Sequence, residues 1–464
     1  MAFCYCRWRR VLLCLCMPCI LLALLITYVA VMVCFNMTST TSTISGALDT
    51  HFIAPGSFRN DGNAPIPTNT FWALQPNKDA LWNQLQQLID RQYNPILRSH
   101  STVGARNSSI VKDTSERSRF SLSIVSSPES QMADFEKLPS HLRDFVRYMH
   151  QREYPVLREP ARSCEKWGRA EGNPQAPLLL LAIKSQEENF ANRQAIRQTW
   201  GQTGWVLGKR GRGGLVQRVF LLGKNRAKAA LNVLPLLELE SQQYQDILQW
   251  GFHDSFFNLT LKDVLFWDWF SHFCPRTQFV FKGDDDVLVQ TPALLDYLQE
   301  QMSQARGTRG LRSLMVGDVI GAANPIRDES VKYFIPGSLY KGLYPAYAGG
   351  GGVVYSSFLA RRLNQVSRRV HLFPIDDVYV GMCLQRLGVS PIHHPAFLTF
   401  DFFKKEAEQP CKYHSILVVH KRNPAQITQI WMDLMATKSQ CINATLRVEE
   451  SVGKGFTKGS AIKY

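Results

Sequence analysis

Residues 259–302 read LTLKDVLFWDWFSHFCPRTQFVFKGDDDVLVQTPALLDYLQEQM, a stretch that predicts a helix, a strand and a second helix in succession. Apolar side chains recur at helical spacing over residues 259–273 and again over 291–302. Between them, Phe279, Val280 and Phe281 form a short apolar run of the kind found in buried strands. This alternation favours an α/β fold.

The central strand ends in an acidic triplet, since Gly283 breaks the apolar run and Asp284, Asp285 and Asp286 follow it. Adjacent carboxylates repel one another, so a fold keeps them at a strand end only where a positive charge lies nearby. Asp284 and Asp286 can share one face of an extended chain. Hard oxygen ligands suit Mg²⁺ or Mn²⁺ bridged to substrate phosphates, and the alternative is a solvated acidic turn. The apolar residues on both sides favour the metal–phosphate role.

The body on either side of this stretch repeats the alternation of strands and helices. The continuous apolar run at 178–183 is typical of a buried parallel strand. Further strands are predicted at 218–222, 314–316 and 416–419, and further helices at 134–150, 192–200 and 377–387. The pattern predicts an α/β sheet with helices on both faces.

The residues before this body suggest a membrane anchor followed by a stem. Residues 11–33 are apolar and uncharged, and at about 1.5 Å per residue they span roughly the 30 Å of a bilayer core. Arg7, Arg9 and Arg10 precede them, so the positive-inside rule sends the rest of the chain across the membrane. A cleaved signal peptide is the alternative, with a shorter apolar region and a small-residue cleavage site. Residues 38–130 are rich in Ser, Thr, Asn and Pro, except for a helix at 80–93 that is expected to dock on the body.

Sequons at Asn36, Asn107, Asn258 and Asn443 agree with a lumenal body. Of eleven cysteines, five lie in the body, so an oxidising compartment leaves at least one unpaired. The net charge of +15 does not indicate nucleic-acid binding, because the basic residues are scattered and the body lies outside the cytosol. It suits an anionic nucleotide substrate.

Three further motifs each allow a structural and a functional interpretation. The four glycines in PAYAGGGGV (345–353) indicate either a flexible loop or a turn against which a substrate lies. The acidic pair of FPIDDVYVG (373–381) indicates either a helix cap or a carboxylate that accepts a proton. His420 ends an apolar run, where it is either a strand-end histidine or a ligand, and Lys184 and Arg197 are either exposed cations or phosphate contacts.

An ordered set of motifs resembles the β-1,3-glycosyltransferases of the Golgi, in particular the N-acetylglucosaminyltransferases that extend poly-N-acetyllactosamine. The motifs are LLLAIKS (179–185), RQAIRQTWG (193–201), RVFLLG (218–223), FVFKGDDDV (279–287), YAGGGG (347–352), IDDVYVGMCL (375–384) and VVHKR (418–422). With stem matches, the resemblance runs from about Phe71 to Cys441. It implies a GT-A fold, with a Rossmann-like mixed sheet and helices on both faces, and inverting transfer from a UDP-sugar.

The resemblance also implies roles for individual residues. Asp286 and His420 would bind Mn²⁺ or Mg²⁺, and Asp377 would be the base. The donor-binding residues would be Lys184, Arg193, Arg197, Asp284, Asp285, Asp376 and the turn at Gly349 and Gly350, with Asp284 or Asp285 on the ribose or sugar. Disulfides would join Cys164 to Cys274 and Cys383 to Cys411 and leave Cys441 unpaired.

These expectations describe a type II Golgi membrane enzyme with UDP-GlcNAc as donor and galactose-terminated glycans as acceptors. The expected segments are a cytoplasmic tail (1–10), a transmembrane signal anchor (11–33), a lumenal stem (34–133), a catalytic domain (134–441) and a flexible tail (442–464). Other Golgi glycosyltransferases are expected partners in an oligomer. The alternatives are a β-1,3-galactosyltransferase that uses UDP-Gal and an inactive lumenal glycan-binding or chaperone-like protein.

Overall fold

The computed structural model of the chain describes residues 79–93, 128–160, 164, 176–225, 233–304, 311–321, 323–402 and 404–448. All of them belong to His51–Tyr464, one of the two units into which the chain divides. The predicted cytoplasmic tail and anchor, most of the stem, and the sequons at Asn36 and Asn107 lie outside the described residues. Within the described ranges, no helix is both long and apolar enough to cross a membrane.

The described strands form one large mixed sheet and two small ones. In chain order the strands are β1 (Val156–Arg158), β2 (Leu179–Lys184), β3 (Gly204–Leu207), β4 (Gly213–Lys224), β5 (Ile247–His253), β6 (Phe279–Asp284), β7 (Leu288–Val289), β8 (Met315–Gly317), β9 (Val319–Ile320), β10 (Tyr347–Ala348), β11 (Val353–Ser356), β12 (Ile392–His393), β13 (Phe397–Leu398) and β14 (Val418–Val419). The large sheet has the order β1-β5-β4-β2-β6-β11-β8-β12, and β3 pairs with β4. Its centre, β5-β4-β2-β6, is parallel, and β11 is antiparallel to β6. The small sheets are β9-β10 and β13-β14-β7.

The helices connect these strands and cover the large sheet. The α-helices of the described chain are α1 (Leu81–Tyr93), α2 (Ser140–Tyr148), α3 (Phe190–Gln198), α4 (Leu234–Tyr244), α5 (Leu259–Phe273), α6 (Thr291–Gln304), α7 (Ser357–Ser367), α8 (Asp376–Leu387), α9 (Lys404–Ala407) and α10 (Pro424–Ala436). The single helix predicted at 134–150 is wrong, because Pro139 separates the 3₁₀ turn Phe135–Lys137 from α2. Proline has no N–H to donate and disfavours helical geometry in the residue before it.

The two faces of the large sheet belong to separate apolar cores. Along β2, Leu180 and Ala182 pack in the core that also contains residues of α1, α2, α5, α7 and α8. Leu179, Leu181 and Ile183 pack in the other core, with residues of α3, α4, α6 and α10. Because alternate residues of a strand point to opposite faces, this division confirms the predicted mixed α/β architecture with helices on both sides.

Helix α1 docks on the body, as its sequence predicts, through both apolar and polar groups. Leu81 and Leu85 are buried, whereas Leu88 is exposed. Asn83, Gln86 and Asp90 are buried instead.

The disulfide pattern agrees with one expected pair and corrects the other. Cys164 is bonded to Cys274, as expected. The expected Cys383–Cys411 bridge is wrong, because Cys411 is bonded to Cys441 and Cys383 is a free, buried thiol. Cys383 faces the core from the middle of α8, while Cys411 and Cys441 lie outside the long helices, where their side chains can meet.

Candidate active site

The parallel pairing of β2 with β6 places the candidate site at the carboxyl end of the large sheet. The register sets Lys184 beside Asp284 and Ala182 beside Lys282. Ligands of open α/β sheets bind at this edge. The acidic triplet begins with the last residue of β6, so its carboxylates emerge here rather than in the core.

Asp284, Asp286 and His420 come together as the prediction of a metal site requires. Their nearest ligand atoms all lie within 4.8 Å of one another. His420 Nε2 is 3.2 Å from Asp286 Oδ1 and 3.9 Å from Asp284 Oδ2. Two backbone hydrogen bonds fix this arrangement: His420 N donates to Leu398 O, and Arg422 N donates to Asp286 O. Hence residues far apart in sequence share one half-buried site.

The chemistry of this cluster fits a divalent cation. Asp286 Oδ1 is buried, and within the described chain it has no partner aligned for a hydrogen bond. Burial, together with Asp376 and Asp286, raises the pKa of Asp284 to about 6 despite the opposing charge of Lys184. Burial alone would lower the pKa of His420, but Asp286 and Asp284 outweigh it and raise that pKa. Two carboxylates and an imidazole crowded together in this way are suitable ligands for a divalent cation.

Asp285, the middle carboxylate, points away from this cluster toward the loop after β2. Its Oδ2 accepts hydrogen bonds from Ser185 Oγ at 2.6 Å and Asn189 Nδ2 at 2.9 Å. Its backbone carbonyl accepts from Asn192 Nδ2 at 3.2 Å. These bonds anchor the triplet turn from behind, while Asp284 and Asp286 face the other side.

Asp376 and Asp377 form the first turn of α8 and lie among buried lysines. Lys184 Nζ donates to Asp376 Oδ2, and Lys282 Nζ is 3.9 Å from both Asp376 Oδ2 and Asp377 Oδ1. The two lysines share a buried counter-ion, Asp263, at 3.2 Å from Lys184 and 3.0 Å from Lys282. The residue at the N-cap is Ile375, without a side-chain cap, so neither aspartate fills the N-cap position of α8.

The two aspartates differ in their electrostatic surroundings. Burial would raise the pKa of Asp376, but the charges of Lys184 and Lys282 outweigh it, so that pKa is lowered. The pKa of Asp377 is raised well above the ordinary value by burial and by the negative charge of Asp376. The Asp377 side chain is 17% exposed, so a substrate can reach it. A reachable carboxylate with a raised pKa holds a proton more tightly than an ordinary one, a property that favours general-base catalysis.

The glycine turn lies between this carboxylate and the metal-binding cluster. A Cβ atom at Gly350 would lie 3.0 Å from Asp377 Oδ2, and one at Gly351 would lie 3.0 Å from His420 Cβ. Gly352 has a φ of +149°. A Cβ at Gly349 would meet Thr399 Oγ1 at 2.6 Å. Close approach of backbone to the site therefore explains why glycines occupy this turn.

Arg193 and Arg197 were expected to face the nucleotide. In the structure they are buried and form ion pairs with acidic side chains. Arg193 pairs with Glu240 at 2.6 Å, and Arg197 pairs with Glu240 and with Asp246 at 2.8 Å. Arg193 is fully buried and also donates to Ser185 Oγ, the hydroxyl that binds Asp285. This placement does not support direct nucleotide contact. It supports a role in holding the loop that anchors the triplet.

Lys282 and Asp263 belong to the site although the sequence motifs did not single them out. Each is a charged residue within an apolar run, FVFKG for Lys282 and LKDVLFW for Asp263, and each is buried. A charged residue that is buried in such a run requires a partner of opposite charge. The presence of a charge in each run is therefore the sequence signal by which these two residues could have been found.

The chain is similar in sequence to known glycosyltransferases. A family model described as Galactosyltransferase matches residues 191–395. N-acetyllactosaminide β-1,3-N-acetylglucosaminyltransferase 2 of Homo sapiens is 42% identical over 388 residues, which are 82% of this chain and 90% of that protein. N-acetyllactosaminide β-1,3-N-acetylglucosaminyltransferase 4 of Homo sapiens is 43% identical over 63% of this chain and 72% of its own. UDP-GlcNAc:βGal β-1,3-N-acetylglucosaminyltransferase 9 of Homo sapiens is 44% identical over 62% and 73%. Because the similarity extends over most of both chains, this chain belongs to the β-1,3-N-acetylglucosaminyltransferase family.

Proposed function

We propose that this protein is an inverting glycosyltransferase of the GT-A fold. It transfers GlcNAc from UDP-GlcNAc to the 3-hydroxyl of a terminal β-galactose on N-acetyllactosamine-type glycans. The observation that carries the proposal is the position of Asp377, whose reachable carboxylate lies across the glycine turn from Asp284, Asp286 and His420. The names of the similar glycosyltransferases supply the donor and the acceptor.

The transfer is a single in-line displacement. Asp377 accepts the proton of the galactose 3-hydroxyl as its oxygen forms a bond to the anomeric carbon of GlcNAc. The bond from that carbon to the UDP oxygen breaks on the opposite side, so the α-linked donor gives a β-linked product. Lys282, 3.9 Å from Asp377 Oδ1, and Lys184, paired with Asp376, hold the acidic pair in place.

Asp284, Asp286 and His420 would hold Mn²⁺ or Mg²⁺. When bound, this ion neutralises the charge that develops on the departing diphosphate. In this assignment Asp284 serves the metal rather than the ribose, and Asp285 orients the triplet turn through Ser185 and Asn189.

The proposed setting is the Golgi membrane, with a single-pass type II topology and a lumenal body. It rests on the apolar segment at 11–33 and the arginines that precede it. Protease added to intact microsomes should leave the body protected. Digestion of the body from the cytosolic side would contradict the topology.

The donor and acceptor are tested with the full chain in detergent, given UDP-GlcNAc, UDP-Gal and UDP-GalNAc over lactose-type and GlcNAc-type acceptors. Transfer should be greatest from UDP-GlcNAc to galactose-terminated acceptors. The second candidate is a β-1,3-galactosyltransferase, favoured by the description of the matching family model. Preferential transfer from UDP-Gal to terminal GlcNAc would establish that alternative and reject our proposal.

A further inference from the structure

Helix α1 makes a series of buried polar contacts with the segment that leads into the candidate base. Residues 369–373 lie within the connection from α7 to α8, and Asp376 and Asp377 follow at the start of α8. Trp82 Nε1 lies 3.1 Å from both His371 O and Leu372 O, to which it donates. Gln86 Nε2 donates to Arg369 O at 3.0 Å, and His371 N donates to Gln86 Oε1 at 2.7 Å. Two side chains of α1 therefore fix four backbone groups of this connection.

The same helix also holds the far end of α8. Asp90 Oδ2 is 3.0 Å from Arg386 Nη2, and both side chains are almost fully buried. Arg386 lies in the last turn of α8, whereas Asp377 lies in the first. Breaking a buried ion pair of this kind leaves an uncompensated charge, so the contact restricts where α8 can lie.

A third set of contacts joins α1 to the loop that precedes the glycine turn. Leu81 N and Trp82 N donate to Ser338 O and Leu339 O, both at 2.8 Å, so this loop accepts from the first N–H groups of the helix. Asn83 Nδ2 donates to Lys341 O at 2.8 Å. The Trp82 ring packs against Tyr340 and Phe373, with centroids 5.4 and 5.8 Å away. One helix thus contacts both segments that border the site.

The burial pattern separates this arrangement from ordinary apolar docking. Trp82, Asn83 and Gln86 have no exposed surface, and Asp90 is 3% exposed. Burying amide and carboxylate groups is unfavourable unless their partners are held in fixed geometry. A helix that only covered apolar surface would not need these groups.

From this geometry we infer that α1, in the segment expected to be a stem, is a positioning element of the active site. Trp82, Gln86 and Asp90 act through the backbone of 369–373 and through Arg386 to set the position of Asp377. This inference rests on the proposed function. Its consequence is that the catalytic unit includes α1 and does not begin near residue 134.

The test uses the full chain in detergent with Gln86→Met, which roughly keeps the shape of the side chain and removes its two backbone contacts and its hydrogen bond to Asp90 Oδ1. The matched control is Gln87→Met, the same change at a half-buried position one residue along the helix. We expect Gln86→Met to lower kcat by about 10- to 100-fold, because a displacement of order 1 Å at a reacting group has that effect. KM for UDP-GlcNAc should stay within about twofold of the wild type, since donor contacts lie elsewhere. Gln87→Met should leave both constants unchanged.

Trp82→Phe provides a second variant, because it keeps an aromatic ring in the core while it removes the Nε1 donor together with the five-membered part of the indole. It should reproduce the loss of kcat in folded protein that still binds UDP. If both variants melt earlier but turn over at the wild-type rate once folded, or if neither folds, α1 is a structural support only and the inference is wrong. Failure of the wild-type chain to use UDP-GlcNAc in parallel assays would instead reject the proposed function.

Discussion

At the scale of single residues, Asp376 and Asp377 are adjacent in sequence, but their pKa values shift in opposite directions because the nearby lysines contact them differently. Lys184 contacts Asp376 directly, whereas the cation near Asp377 is Lys282 at 3.9 Å. The pKa of Asp376 is therefore lowered, and that of Asp377 is raised by burial and by its ionised neighbour. Titratable pairs whose pKa values move apart in this way mark acid–base assignments.

The metal cluster should show a pH dependence that follows from its carboxylate and imidazole. Because the pKa of Asp284 is raised to about 6 by burial and that of His420 is also raised, both groups hold protons more tightly than usual. Protons compete with the cation for these ligands, so affinity is greatest above these pKa values and is lost as the pH falls through them. Calorimetric titration of Mn²⁺ with UDP present should show this weakening between about pH 7.5 and pH 5. A constant affinity over this range would contradict the ligand set.

Removing the ligands should abolish transfer. Asp286→Ala should eliminate activity and weaken UDP binding, and His420→Ala should act similarly but less completely, because water can replace one ligand. Full activity of the wild type in excess EDTA would show that no exchangeable metal takes part.

At the scale of secondary-structure elements, the catalytic end of the sheet depends on charges inside apolar helices and strands. Asp263 lies within α5 and is fully buried, where it forms ion pairs with both Lys184 of β2 and Lys282 of β6. Ion pairs between side chains therefore hold these three elements together, in addition to apolar packing. This explains why α5 carries an acidic residue on its buried face.

Asp263→Asn should be strongly destabilising, because it leaves two buried lysines short of a counter-ion. We expect a loss of about 3–5 kcal/mol in the free energy of unfolding, measured by chemical denaturation. Asp268→Asn on the same helix is the control, since Asp268 is 48% exposed and pairs with Arg368 at the surface. That change should cost about 1 kcal/mol or less. Equal small effects for the two variants would refute the account of the buried cluster.

Helices and strands with clear apolar patterns could be predicted from the sequence. Those that bury polar as well as apolar side chains could not. Leu259–Phe273 was predicted with its observed bounds, and β2 and β6 lie where their apolar runs predict them. β5 was not predicted, because its sequence ILQWGFH contains a polar residue, Gln249. In the structure Gln249 is buried and donates a hydrogen bond to Glu187. α10 was also not predicted, although Asn423 and Gln426 form a capping box and Pro424 follows. The β5 strand depends on a tertiary hydrogen bond that local periodicity does not contain, whereas the capping box of α10 is a local signal that was available in the sequence.

At the scale of the whole molecule, the sequence indicated most of the candidate site and the Cys164–Cys274 disulfide, but not the buried ion pairs or the Cys411–Cys441 disulfide. Asp286, His420 and Asp377 converge because three distant chain segments end at one sheet edge, which alternation of strands and helices makes predictable. Arg193 and Arg197 could not be placed in the same way. Their partners Glu240 and Asp246 lie in and after a helix with no motif.

The covalent pattern gives a prediction at this scale. Non-reducing peptide mapping should return Cys164–Cys274 and Cys411–Cys441. Cys383 should resist alkylation until the protein unfolds, because burial both hides the thiol and raises its pKa to about 12. Replacing Cys411 and Cys441 by Ser should lower the free energy of unfolding by about 2–4 kcal/mol. A peptide joining Cys383 to Cys411 would contradict the structure.

The proposed transfer requires Asp377 to act as the base beside the glycine turn. The substitution Asp377→Asn tests that requirement most directly. Asparagine keeps the shape but cannot accept the proton, so the single-turnover rate at saturating UDP-GlcNAc and acceptor should fall by about 10²–10⁴-fold. UDP-GlcNAc affinity should stay near the wild-type value. The melting temperature should be unchanged or higher, because the folded protein disfavours the Asp377 charge. In contrast, Asp376→Asn should lower the melting temperature, because Lys184 and Lys282 lose a buried counter-ion. A folded Asp377→Asn protein that binds UDP-GlcNAc and transfers within a few-fold of the wild-type rate would contradict the account.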